Sequence, residues 1–254
     1  MKLIICGDSH TEALIEGFGL LATDRPQLRN DVAMKSLGRG RYLAQPFAAE
    51  ASGGAVAFTY DEYAESYTSF GAGPLRKQDG LMHGFCMAFH SAPLFRNPMW
   101  RGYAPWRICG DGETPVSDAV LDAMSDHVWR DIRFFFELLL KQNIPFFVIA
   151  APPPRRSHSC IIEDGISPRI VHEVDRHYRA SVKRWLDARG IPAMLPPADT
   201  VDADGFLLPD YEPRELAHDF HHANARYGAK FMREILTAQG ILLETDACAA
   251  SPAS

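Results

Sequence analysis

Leu3-Ile4-Ile5-Cys6-Gly7-Asp8-Ser9-His10-Thr11 is the stretch on which the fold turns. Four apolar residues with no polar alternation describe a strand buried on both faces, the kind found inside a parallel sheet. Gly7-Asp8 ends the run. Residues 11–22 then place Ala13, Leu14, Phe18 and Leu21 at helical spacing. A buried strand, a polar turn and an amphipathic helix make the first half of a strand–helix–strand unit.

The same alternation continues along the chain. Residues 31–37 form a second strand ending in Gly38-Arg39-Gly40, and residues 81–89 form the next buried one. Ser117 or Asp118 caps a long helix over 118–141, amphipathic through Val120, Met124, Val128, Ile132, Phe135 and Leu139, with Phe134-Phe135-Phe136 as core packing. Residues 144–151 are the cleanest buried strand, stopped by Pro152-Pro153-Pro154. A helix over 168–189 closes at Gly190, a strand spans 191–195, and a last helix over 223–239 ends at Gly240. Strands alternating with helices imply right-handed crossovers and a mostly parallel sheet covered on both faces, a three-layer α/β/α sandwich.

Two stretches lack a clear period. Residues 41–79 hold a short strand at 56–59, and residues 91–117 carry four Pro, three Gly and two Trp. They read as insertions in a single domain over 1–245, followed by a fraying tail over 246–254. The 254 residues, 46% hydrophobic and 23% charged, exclude a disordered chain or a coiled coil. A net charge of −6 argues against nucleic acid as a partner. Neither a leader nor a membrane-spanning run is visible, and the five cysteines include no CxxC. A reduced, cytoplasmic protein with no membrane partner is expected.

In an open parallel sheet, ligands bind beyond the carboxyl ends of the strands. Ser9 stands there, with helix N–H groups beside it to receive an oxyanion, although a serine at such a junction is also a common helix cap. Near the other end, His218-Asp219-Phe220-His221-His222-Ala223-Asn224 sets Asp219 and His222 three residues apart. That spacing lets a carboxylate hold an imidazole toward a nucleophile, the division of labour of a Ser-His-Asp triad.

Gly7-Asp8-Ser9-His10-Thr11 after an N-terminal strand, with Asp-x-x-His before the last helix, resembles the SGNH/GDSL hydrolase superfamily. The resemblance implies a flavodoxin-like α/β/α sandwich and a carboxylic ester hydrolase without cofactor. Its substrate would be a short acyl group on a sugar or other small molecule. Ser9 would be the nucleophile and first oxyanion donor, His222 the general base and Asp219 its partner. A second oxyanion donor would be Gly38, with Gly40 as the alternative. The superfamily's Gly-x-Asn-Asp motif is not met: Ala88-Phe89-His90-Ser91 stands in its place, leaving His90 or Asn97 to serve. This departure keeps open an acyltransferase with the same triad and a catalytically silent glycan- or partner-binding domain.

Asp8 and His10 beside the nucleophile, Trp100, Tyr103 and Trp106 in the second insertion, and Arg155 past the best strand are candidate substrate contacts. His218, Asp219, His221 and His222 look like metal ligands, but four groups within five residues cannot converge on one ion, and no metal is expected. Gly38-Arg39-Gly40 lacks the third glycine of a dinucleotide motif. His158-Ser159-Cys160 reads as a flexible loop.

Overall fold

Apolar runs without alternation can be satisfied only by a sheet with both faces covered. In the computed structural model, which describes residues 2–71, 73–213 and 221–243, such a sheet forms. The chain runs β1 (Lys2–Gly7), α1 (Thr11–Asp24), β2 (Val32–Ser36), the hairpin β3 (Ala48–Ala51) and β4 (Ala55–Phe58), then α2 (Asp61–Thr68) and β5 (Leu81–Ala88). It continues through α3 (Ala92–Phe95), the ribbon β6 (Tyr103–Pro105) and β7 (Thr114–Val116), α4 (Asp118–Lys141) and β8 (Phe146–Ala150). Last come α5 (Ser159–Ile162), α6 (Pro168–Asp187), β9 (Ala193–Met194) and α7 (Ala225–Ala238).

Five strands form one sheet in the order β2-β1-β5-β8-β9, every pair parallel. β1 lies between β2 and β5, with Leu3 opposite Val32 of β2 on one side and Met82 of β5 on the other. The strand order reverses at β1, so a crevice opens between the carboxyl ends of β1 and β5. Asp8-Ser9-His10 and His90 stand at that crevice, one group past each strand.

Successive side chains of a strand face opposite ways, so each face has its own core. Leu3, Ile5, Phe147 and Ile149 pack with Leu14, Phe18, Phe231 and Ile235 of α1 and α7. Ile4, Cys6, Phe85 and Val148 pack with Phe135, Leu139, Val174 and Val182 of α4 and α6. α1 and α7 meet in backbone contact: a Cβ on Gly228 would overlap the Ala13 carbonyl, and one on Gly17 would overlap the Gly228–Ala229 peptide. α4 has the expected span, and the Ser117 hydroxyl accepts the Val120 N–H at 3.4 Å. Its buried stripe corrects the sequence reading, because Phe134 is 46% exposed and Val120 47%, while Leu121 and Trp129 face the core. Three consecutive phenylalanines cover too wide an arc of a helix for all to point inward.

The two aperiodic stretches are built into the body. Phe47 and Phe58, from the first insertion, pack at a tilt against Phe135 of α4, with ring centroids 5.2 and 5.7 Å away. In the second, Arg107 pairs with Asp118 at the start of α4 at 2.7 Å, and Arg169 of α6 holds Glu113 and the Ile108 carbonyl. The expected flexible loop at residues 158–160 is ordered. His158 is buried, its Nδ1 accepts the Cys160 N–H at 3.1 Å, and its ring meets Phe95 edge-on at 5.1 Å. Among the described residues, no helix is long and apolar enough to cross a membrane.

Candidate active site

Gly7, the last residue of β1, lies close against β5, where a Cβ would overlap the Cys86 carbonyl. The chain then turns within three residues. The Asp8 carbonyl accepts the Thr11 N–H at 3.0 Å, and Asp8 Oδ1 accepts the His10 N–H at 2.9 Å. This turn leaves Ser9 half-buried at the mouth of the crevice between two buried neighbours, Asp8 and His10, which are 2% and 3% exposed. Its hydroxyl lies 2.8 Å from His222 Nε2. Ser9 is thus engaged by an imidazole, and no side-chain cap closes the start of α1.

His222 reaches Ser9 from a segment held in two ways. Asn224 caps α7, its Oδ1 accepting the Tyr227 N–H at 3.1 Å, while its Nδ2 donates to the carbonyls of Asp210 and Glu212 at 2.9 and 3.0 Å. Arg155 supplies the second hold. Its guanidinium is buried, with Nη1 donating to the His222 carbonyl at 3.2 Å and Nε to Ser157 Oγ at 3.2 Å. Nε also lies 3.2 Å from the Glu212 carboxylate, which in turn accepts the Ser157 hydroxyl at 2.6 Å. Arg155 therefore serves the histidine and is no surface anion contact, which corrects the sequence reading. Asp219, the expected partner of His222, lies outside the described residues, as does His218.

Four imidazoles converge beside Ser9. The His10 ring lies 4.5 Å from His90, 5.0 Å from His222 and 5.6 Å from His221. Burial, reinforced by the neighbouring imidazoles, holds the His10 pKa well below its usual value and His90 at about 3. Both rings are neutral near pH 7, each with one N–H to donate. Burial pushes the Asp8 carboxyl up to about 7, against the lowering effect of the His10 N–H and of His222.

The remaining sequence candidates divide. His90 joins the cluster. Asn97 does not: it caps a turn, its side chain accepting the Met99 N–H at 3.0 Å. Gly40 flanks Asp8, where a Cβ would lie 3.5 Å from the Asp8 Cβ, whereas Gly38 abuts the Glu62 carboxylate. Trp100 is core, 2% exposed, with its indole N–H donated to the Leu94 carbonyl at 2.8 Å; a large ring inside an ordered ribbon finds more apolar area to bury inward than outward. Tyr103 and Trp106 are exposed, on the ribbon clamped over the starts of α4 and α6.

Sequence reasoning missed Asp175, Arg179 and Glu212. Arg179 of α6 donates to the carbonyls of Ala151 and Pro152 at 3.0 and 2.7 Å and pairs with Asp175 at 2.8 Å. Asp175 also accepts the Ser91 hydroxyl, so the residue after His90 is tied to α6. Acid and base four apart on a helix are the only local signal, and they read equally well as a surface pair.

No protein-family model matches the chain, and no curated protein sequence matches it. Several solved structures align over nearly its whole length. A GDSL-like lipase from Bacteroides thetaiotaomicron is 13% identical, with 94% of this chain and 87% of that one covered and a TM-score of 0.47. An acetyl xylan esterase is 14% identical, covering 94% and 99%, with a TM-score of 0.48. A carbohydrate acetylesterase family member from Sinorhizobium meliloti is 11% identical, covering 95% and 100%, with a TM-score of 0.46. The chain's own parallel sheet with helices on both faces makes it an α/β/α sandwich, and these structures are what it is similar to.

Proposed function

We propose that this protein is a serine hydrolase of carboxylic esters, of the SGNH type, acting on a short acyl group carried by a sugar or other small molecule. The observation that carries this reading is the 2.8 Å approach of His222 Nε2 to Ser9 Oγ, at the strand-end crevice. In the reaction, Ser9 Oγ attacks the acyl carbonyl while its proton passes to His222 Nε2. The tetrahedral intermediate collapses and the alcohol leaves with the proton from His222. A water deprotonated by the same nitrogen then attacks the acyl-serine, and the acid departs as Ser9 is restored.

The oxyanion is proposed to rest on the backbone N–H of Ser9 and on Gly40, which the geometry favours over Gly38, with a His90 N–H in place of the missing amide. Asp219 is proposed to orient His222. Arg155 supports the same reading by fixing the His222 backbone. Tyr103 and Trp106 offer exposed rings of the kind that stack on a sugar.

Ser9→Ala is expected to abolish both turnover of acetyl esters and labelling by a fluorophosphonate probe. Labelling that survives the substitution would overturn the assignment.

A further inference from the structure

The sequence pointed away from a metal because its apparent ligands crowded into one short segment. Tertiary contact creates a different set. We infer that Asp8, His10 and His90 form a binding site for one divalent transition-metal ion of the zinc class, immediately beside Ser9.

A carboxylate oxygen of Asp8 and one ring nitrogen each of His10 and His90 all lie within 4.8 Å of one another. Ligands around a zinc ion at about 2.1 Å stand about 3.4 Å apart, so a small inward movement of the three side chains closes the set. Two imidazoles and a carboxylate, with further positions open, suit zinc and its first-row neighbours; magnesium and calcium prefer all-oxygen sites.

Two independent observations point to a ligand. The first is unspent hydrogen-bonding capacity: His10 is buried, and neither its Nδ1 nor its Nε2 has a partner among the described residues, nor does the buried His90 Nε2. Buried polar atoms in native proteins nearly always have a partner. The second is space. A cavity of about 50 Å³ is lined by Asp8, His90, Gly40, Met87 and Tyr178, large enough for an ion with a bound water. Gly40 contributes to that room, since a Cβ there would lie 3.6 Å from Asp8 Oδ2. The other carboxylate oxygen, Oδ1, is already fixed by the His10 N–H, which orients the group.

The donors come from both sides of the β1/β5 crevice, so the ion would tie the turn after β1 to the turn after β5. This inference does not depend on the ester reading, because its assay counts metal and the other counts acyl transfer.

The full chain is stripped with a chelator and titrated with Zn²⁺ by calorimetry, with Mg²⁺ as the comparison. One equivalent of Zn²⁺ per chain is expected, with Mg²⁺ failing to bind. His90→Ala and Asp8→Asn should each weaken binding by about 100-fold or more, while Ser9→Ala retains it. Should a variant fail to fold, Co²⁺ added to the unsubstituted protein provides the reading. Visible bands of a four- or five-coordinate nitrogen–oxygen site are expected. No stoichiometric binding, binding unchanged in folded His90→Ala and Asp8→Asn, or a sulfur-to-cobalt charge-transfer band would overturn the proposal.

Discussion

Arg155 shows what one side chain contributes when its partners are remote in sequence. A cation just past a buried strand reads as a substrate contact, and nothing local says otherwise. Its partner, the His222 carbonyl, is 67 residues away. Arg155→Lys keeps the charge but loses the planar fork that serves the carbonyl and Glu212 together. With His222 in its proposed role, turnover of an ester substrate is expected to fall roughly 10–100-fold with KM little changed, as misplacement of a reacting group commonly costs. An equal loss with KM raised in proportion would instead mark a substrate contact. Arg155→Ala strands the Glu212 carboxylate, and urea unfolding is expected to show a loss of about 3 kcal/mol or more. The meeting of Ser9 and His222 was expected from strand-end position and motif spacing, which are local properties. The absence of any local mark explains why Arg155 was misassigned and why Asp175 and Glu212 were not noticed.

At the scale of elements, the main strands and helices were legible within a few residues. Periodicity and end signals set them, as with Ser117 before α4, whereas α7 starts two residues after the expected 223 because Asn224 caps it. β9 is shorter than the expected 191–195, reduced to Ala193–Met194. It is an edge strand, with prolines at 192, 196 and 197 withholding N–H donors. The insertions were illegible as structure because their hairpin and ribbon are stabilised by α4 and α6, not by their own patterns. The crossing of α1 and α7 was equally hidden: a glycine inside a helix reads as a weakness until its backbone neighbour is known. Gly228→Ala forces the two helices apart at Ala13. It is expected to lower Tm by roughly 2–10 °C, the effect of overpacking by 1–3 kcal/mol in a chain of this size. Ester turnover should drop with it, since α7 begins two residues after Ala223 and carries the His222 segment. A Tm and turnover equal to the parent protein would show that the contact is slack.

For the whole molecule, burying histidines makes stability depend on pH. Burial holds His83 and His158 at about 4, below the 6.5 of an exposed imidazole. As pH falls through 6.5 the unfolded chain takes up protons that these folded sites refuse. Their contribution is complete above about 6.5 and is lost between 6.5 and 4, at up to about 1.4 kcal/mol per pH unit for each. Asp8, raised to about 7, works in the opposite sense, but it is one group against His10, His83, His90 and His158. The urea midpoint is therefore expected to fall markedly from pH 7 to pH 5. His83→Gln should flatten that slope while leaving an acceptor for the Tyr67 hydroxyl, now 2.9 Å from His83 Nε2. A parent profile flat over this range would contradict the account.

The sequence by itself determined the order of strands and helices, the parallel sheet they imply, and the placing of Ser9 at a strand-to-helix turn. Each follows from side chains a few residues apart, where backbone geometry alone decides which face they share. Only the tertiary structure decided that Arg155 grips the His222 segment, that Trp100 is core, and that His90 comes across the crevice to meet Asp8 and His10. Those relations depend on which strand ends the crossovers bring side by side, and on which buried polar atoms then find a partner and which do not.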